Sequence, residues 1–129
     1  MKRAIVCMLL AAVLLASAAL AAQTYRQITQ EEARRIMEEE QGYLILDVRT
    51  AEEYAEGHSP GAINIDNAAI GADGIPELPD KDRMILVYCR SGRRSKEASE
   101  KLAAMGYANI FEFGGINTWT GEIAVGEEP

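Results

Sequence analysis

The sequence predicts an α/β fold with a mainly parallel central sheet flanked by helices, on three observations. Tyr43-Leu44-Ile45-Leu46-Asp47-Val48 and Met84-Ile85-Leu86-Val87-Tyr88 are short apolar runs without polar alternation, the pattern of strands buried on both faces. Segments of helical spacing, two of them opened by capping boxes, lie between such runs. Glycine and proline stand at the junctions. Strands that alternate with helices pair in parallel, and ligands then bind at the C-terminal ends of the strands.

Each element follows from its residues. Thr29 forms a capping box with Glu32, and Ala33, Ile36 and Met37 continue at helical spacing until Gly42 stops an amphipathic surface helix. After the run from Tyr43 to Val48, Thr50 forms a second capping box with Glu53. Its helix ends near Glu56, because Gly57 and Pro60 block continuation. Ala62-Ile63-Asn64-Ile65 reads as a short strand. Asp66 to Asp82 carries Gly71, Gly74, Pro76 and Pro79, which predicts loop with one short helix near Ala68 to Ile70. Met84 to Tyr88 is the clearest strand. Ala98, Leu102 and Met105 then form the apolar stripe of a helix that Gly106 ends. Asn109 to Phe113 is a last strand, after which Gly114-Gly115 is expected to turn the chain toward Trp119. The tail from Gly121 to Pro129 has few core-forming residues after Val125, so its end is expected to fray.

The N-terminus reads differently. Lys2 and Arg3 precede an apolar stretch from Ala4 to Ala22 that contains Ala19-Leu20-Ala21, the layout of a secretory signal peptide cleaved after Ala21. The competing reading is an uncleaved anchor, since about 20 apolar residues span a bilayer; the small-residue ending favours cleavage. Residues 1–21 are therefore assigned to the signal and residues 22–129 to one exported domain, with no stable membrane association after cleavage. Cys7 leaves with the signal. Cys89 is then the only cysteine, so there is no internal disulfide and no resolving thiol, and the redox partner must be external. Without Lys2 and Arg3, 11 basic residues face 20 acidic ones, a net charge of −9, which argues against nucleic acid as a partner.

Chemistry concentrates in Cys89-Arg90-Ser91-Gly92-Arg93-Arg94-Ser95. A strand ending at Tyr88 delivers Cys89 to a tight loop at a helix N-terminus, where Gly92 lets amide hydrogens converge. Those amides and the three arginines are both expected to favour thiolate over thiol, making a nucleophile for an anionic substrate. A lone cysteine after an apolar strand is otherwise a small buried hydrophobe, and arginine-rich turns are often only solvated surface. One histidine, His58, and one cysteine are too few for a usual metal cage, so neither metal nor cofactor is expected.

Several stretches together resemble the rhodanese family. Asp47-Val48-Arg49, Glu52-Glu53-Tyr54 and Gly57-His58 with Pro60-Gly61-Ala62-Ile63-Asn64 resemble its first signature, Cys89 to Ser95 its active-site loop, and Gly114-Gly115-Ile116 with Trp119 its closing motif. The likeness covers nearly the whole chain after the signal and is nearest to small periplasmic, phage-shock-type members. It implies a rhodanese-like three-layer fold in which Cys89 accepts sulfane sulfur from thiosulfate, or another such donor, and becomes a persulfide. Arg90, Ser91, Gly92, Arg93, Arg94 and Ser95 would bind the substrate. Sulfite would leave without needing a general acid, for which the sequence offers no obvious candidate. Cyanide, a small thiol or a dithiol protein would take the sulfur. Asp47 and Arg49 read as a brace, His58 as the ordering residue of its turn, and Trp119 as packing. Ser59 departs from the branched apolar residue usual between His and Pro in relatives, which touches packing of the turn and not the catalytic loop.

Two other readings stand beside this one. A cysteine phosphatase or arsenate reductase also cradles an oxyanion, but its Cys-x5-Arg spacing would need arginine at position 95, where Ser95 stands; Arg94 gives Cys-x4-Arg. A six-residue ring from Cys89 to Arg94 is expected to fit a cysteine carrying one extra sulfur rather than a tetrahedral phosphate. The other reading is a non-enzymatic persulfide carrier or binding module, built on the same loop.

Overall fold

A computed structural model of the chain describes residues 24–71 and 73–129; the predicted signal peptide, with Cys7, lies outside the described residues. Five strands form one sheet: β1 (Arg26–Gln27), β2 (Leu44–Asp47), β3 (Ile63–Asn64), β4 (Ile85–Cys89) and β5 (Ile110–Gly115). Their order is β1-β5-β4-β2-β3, and each neighbouring pair is parallel. Among the described residues three helices cover the sheet: α1 (Gln30–Glu39), α2 (Ala51–Glu56) and α3 (Arg93–Ala104). Among the described residues no helix is long and apolar enough to cross a membrane.

Both expected capping boxes are present. The Thr29 and Thr50 hydroxyls accept from the amides of Glu32 and Glu53, and each glutamate reaches back to the threonine amide. Period two then divides the core. Leu44 and Leu46 on β2, with Ile85, Val87 and Cys89 on β4, pack on the face that α3 covers with Ala98 and Leu102. Ile45, Leu86, Tyr88 and Phe113 face the opposite side, where Ala33 and Tyr54 arrive from α1 and α2. Cys89 thus belongs to the α3 side.

The structure departs from expectation in four places. Tyr88 does not end its strand; β4 runs on to Cys89, which pairs with Gly115. Nor do Gly114 and Gly115 form a turn, because β5 continues through both. Val87 lies opposite Glu112 and Cys89 opposite Gly115, so three steps along β5 match two along β4, a bulge made with Gly114 at φ 90°. The edge strand β1, beside β5, is too short to show period two in the sequence. Finally, the tail is tied down past Val125: His58 and Ala124 exchange both backbone hydrogen bonds, and Gly126 N–H donates to the Ala55 carbonyl at 2.8 Å. Between β3 and β4, the expected short helix is a single 3-10 turn at Asn67–Ala69, and Ile70, Ile75 and Leu78 anchor the remaining loop in the core.

Candidate active site

Cys89 is the last residue of β4. The chain passes through Arg90, Ser91 and Gly92 and enters α3 at Arg93. Gly92 takes φ 111°, a left-handed conformation that side chains disfavour, and as N-cap it offers no side chain to the helix. The sulfur fills that role. Gly92 N–H donates to Sγ at 3.0 Å, and Ser95 Oγ lies 3.3 Å from Sγ. Gly115 closes the far side for a different reason: a Cβ there would stand 2.0 Å from the Arg90 carbonyl oxygen, so only glycine lets β5 pass against the loop.

The thiol is 1% exposed. Burial acts most strongly on it and pushes its pKa up. The Ser95 hydroxyl and the amides of Ser95, Gly92 and Ser91 together outweigh burial, so the pKa lies below that of an ordinary thiol. Amides therefore act as expected, but the arginines do not. Arg93 turns outward to Glu97 at 3.0 Å, and Arg94 sets both terminal nitrogens on Glu53 at 2.7 and 2.9 Å. The Arg90 side chain is exposed, while its carbonyl accepts from Asn117 N–H. The reason is where the helix begins: its first turn aims N–H groups back at the sulfur and side chains away from the axis, within reach of glutamates. Arg94, raised mainly by Glu53, gains only secondarily from charge on Cys89. The expected six-residue ring is likewise corrected to three loop residues plus the first turn of α3, with Arg94 inside the helix.

Ser95 is fully buried, at the position where a phosphatase would need arginine. Its Oγ lies 2.7 Å from Oε2 of Glu112 and 2.9 Å from the Gly92 carbonyl. Sequence reasoning missed Glu112. A carboxylate among the apolar residues of Ile110-Phe111-Glu112-Phe113, within the run read as the last strand, is the available signal.

Behind the loop lies a second polar cluster. Fully buried Asp47 accepts Arg49 Nη2 at 2.6 Å, Arg49 Nε at 3.0 Å and the Tyr88 hydroxyl at 2.7 Å. Arg49 also reaches the Gly57 carbonyl at 2.7 Å, and Tyr88 accepts from Ser59 N–H at 3.0 Å. Position 59 is thus held through its backbone. His58 Nδ1 lies 2.8 Å from the Tyr54 carbonyl, which makes it the protonated nitrogen and the donor. Its ring stacks on Tyr54 at 3.7 Å, so His58 orders its turn. Trp119 packs beside Phe113 and under Arg34.

The Glu53–Arg94 pair joins α2 to the start of α3 and has a measurable signature. Hydrogen bonding from Arg94 is the main cause that takes Glu53 from 4.5 to about 2. An unfolded chain therefore binds this proton first on acidification. The stabilisation is complete above about pH 4.5 and is lost as pH falls through about 2. Because the pair is part-exposed, Glu53→Gln should cost only about 1 kcal/mol at pH 7. Urea unfolding as a function of pH checks it: the variant's stability should decline less steeply between pH 4.5 and 2 than the parent's.

A parallel sheet, a cysteine at a strand's C-terminal end and a loop of amides turned on its sulfur define an α/β protein that holds one thiol toward the thiolate form. Residues 29–122 match the rhodanese-like domain model. The chain belongs to the rhodanese family of sulfurtransferases. It is 39% identical over 71 residues to the thiosulfate sulfurtransferase PspE of Escherichia coli (strain K12), a match covering 55% of this chain and 68% of that one. A solved rhodanese from E. coli, determined with anions, superposes with a TM-score of 0.59 at 35% identity, over 65% of this chain and 99% of the other. A rhodanese-like domain protein from Staphylococcus aureus gives 0.65 at 30% identity, over 78% and 97%.

Proposed function

We propose that this chain is an exported thiosulfate sulfurtransferase in which Cys89 carries the transferred sulfur as a persulfide. The observation that carries the reading is one buried thiol with a lowered pKa, faced by the amides of Ser91, Gly92 and Ser95 at the end of β4. The Cys89 thiolate attacks the outer sulfur of thiosulfate. An Sγ–S bond forms, the S–S bond of thiosulfate breaks, and sulfite leaves with the electron pair. The outer sulfur then carries the negative charge that the thiolate brought, and Arg90 to Ser95 supply the donors around it. Cyanide or an external thiol, small or on a dithiol protein, removes the sulfur and regenerates the thiolate. The domain comprises residues 22–129, and export follows from Lys2, Arg3 and the apolar run to Ala22.

Mass spectrometry of the purified protein before and after thiosulfate tests both halves. We expect an N-terminus at or near Ala22, one sulfur atom added on Cys89, and its loss on adding cyanide. Hydrolysis of aryl phosphate faster than sulfur transfer would replace this reading with a phosphatase. Sulfur loading without turnover to cyanide or thiols would reduce it to a carrier.

A further inference from the structure

Glu112 is a carboxyl group with no assigned task. It is 3% exposed, and among the described residues no lysine or arginine pairs with it. An unpaired buried carboxylate is costly unless hydrogen bonds hold it, and two do, both on Oε2: Gly114 N–H at 2.7 Å, made possible by the bulge in β5, and the Ser95 hydroxyl at 2.7 Å. That hydroxyl also lies 3.3 Å from Cys89 Sγ. Ser95 has one proton; the Gly92 and Gly114 carbonyls lie 2.9 and 3.4 Å from its oxygen, and the Glu112 carboxylate, at 2.7 Å, is the nearest acceptor and the one that can itself take up a proton.

We infer that Glu112 and Cys89 are the two ends of a proton relay through Ser95 Oγ and share a single negative charge. The inference rests on Cys89 being the nucleophile proposed above. In one state Glu112 is ionised, Ser95 donates to it, and the thiol S–H donates to Ser95 Oγ. In the other, Glu112 is protonated and donates to Ser95, which donates to the thiolate. Conversion breaks the S–H bond and the Ser95 O–H bond and forms a new O–H bond on each of Ser95 and Glu112. Charge moves from carboxylate to sulfur, and no electron acceptor is needed. The buried charge is unchanged, so the thiolate forms without adding a second ion to the core. Glu112 is a positioning residue that acts through Ser95. The neighbouring elements offer no nearer competitor for this role. On α3, Arg93 and Arg94 are held by Glu97 and Glu53; on β1, Gln27 opposite Glu112 is uncharged, and Arg26 lies over the Phe111 ring.

The test is the rate of Cys89 alkylation by iodoacetamide against pH, which reads thiolate without requiring sulfur transfer. The native protein should show two steps, as coupled sites do. Glu112→Gln should show one, its midpoint lowered by about one pH unit, so that alkylation is about tenfold faster below the native upper step. Removing the link with Ser95→Ala should make the same Gln substitution shift the midpoint by less. A glutamate that only props the loop predicts the opposite, because a slackened loop loses amides from the sulfur; an unchanged or raised midpoint in Glu112→Gln overturns the relay. If Glu112→Gln does not fold, the alkylation profile of Ser95→Ala decides: collapse from two steps to one supports the relay through Ser95, and an unchanged two-step profile overturns it. Loss of thiosulfate turnover in the native protein, with the two-step alkylation profile intact, would instead defeat the sulfurtransferase reading alone.

Discussion

Cys89→Ser should remove thiosulfate-dependent sulfur transfer to cyanide, by at least about a thousandfold, and leave the fold in place. Two separate facts require the loss. A serine hydroxyl does not ionise near neutral pH even in a ring of amides, so no anionic nucleophile forms. Oxygen also cannot hold sulfane sulfur as a persulfide does, so the covalent intermediate has no counterpart. Retention of the fold follows from the site itself. Oγ can accept the Gly92 N–H that Sγ accepts at 3.0 Å, and the substitution removes little volume from the α3 side of the core. The check pairs a turnover assay with urea unfolding. The midpoint should correspond to a change of no more than about 1 kcal/mol. Appreciable turnover by the folded variant would end the assignment of Cys89.

The parts of the site legible in the sequence were those set by local chemistry. Thr29 with Glu32 and Thr50 with Glu53 announced helix starts because a capping box is closed within four residues. Cys89 and Gly92 announced the loop because strand, glycine and helix follow one another directly. What was not legible depends on partners distant in sequence. Arg94 looked like a donor for the anion until Glu53, 41 residues away, claimed both of its terminal nitrogens. Gly114 and Gly115 looked like a turn, since two glycines usually are one. Here Gly115 is small because the Arg90 carbonyl passes against it, and Gly114 supplies the positive φ of a bulge. Glu112 was hidden for the same reason: its meaning comes from Ser95, 17 residues earlier on a different element.

Asp47→Ala should be the most destabilising single substitution in the polar cluster behind the loop, costing about 3–5 kcal/mol. The carboxylate is fully buried, and three groups depend on it. Arg49, 5% exposed, would keep its charge in the core with only the Gly57 carbonyl and the π face of Tyr88 as partners. Tyr88 would lose the acceptor of its hydroxyl, and the Arg49 amide would lose the bond it makes to Oδ1 at 2.9 Å. A domain of this size has about 5–15 kcal/mol in all, so the loss is a large fraction of it. The effect should also reach the sulfur, because Tyr88, whose hydroxyl Asp47 holds, is the residue before Cys89 on β4. Urea unfolding gives the magnitude, with the slope unchanged if the transition stays two-state. Replacing both partners, as Asp47→Leu with Arg49→Met, should recover much of the loss, since no unpaired ion is then left in the core. Recovery in the double variant identifies the cost as that of an uncompensated buried guanidinium. A single variant within about 1 kcal/mol of the parent would show instead that water reaches Arg49 and that the cluster does not brace the strand carrying Cys89.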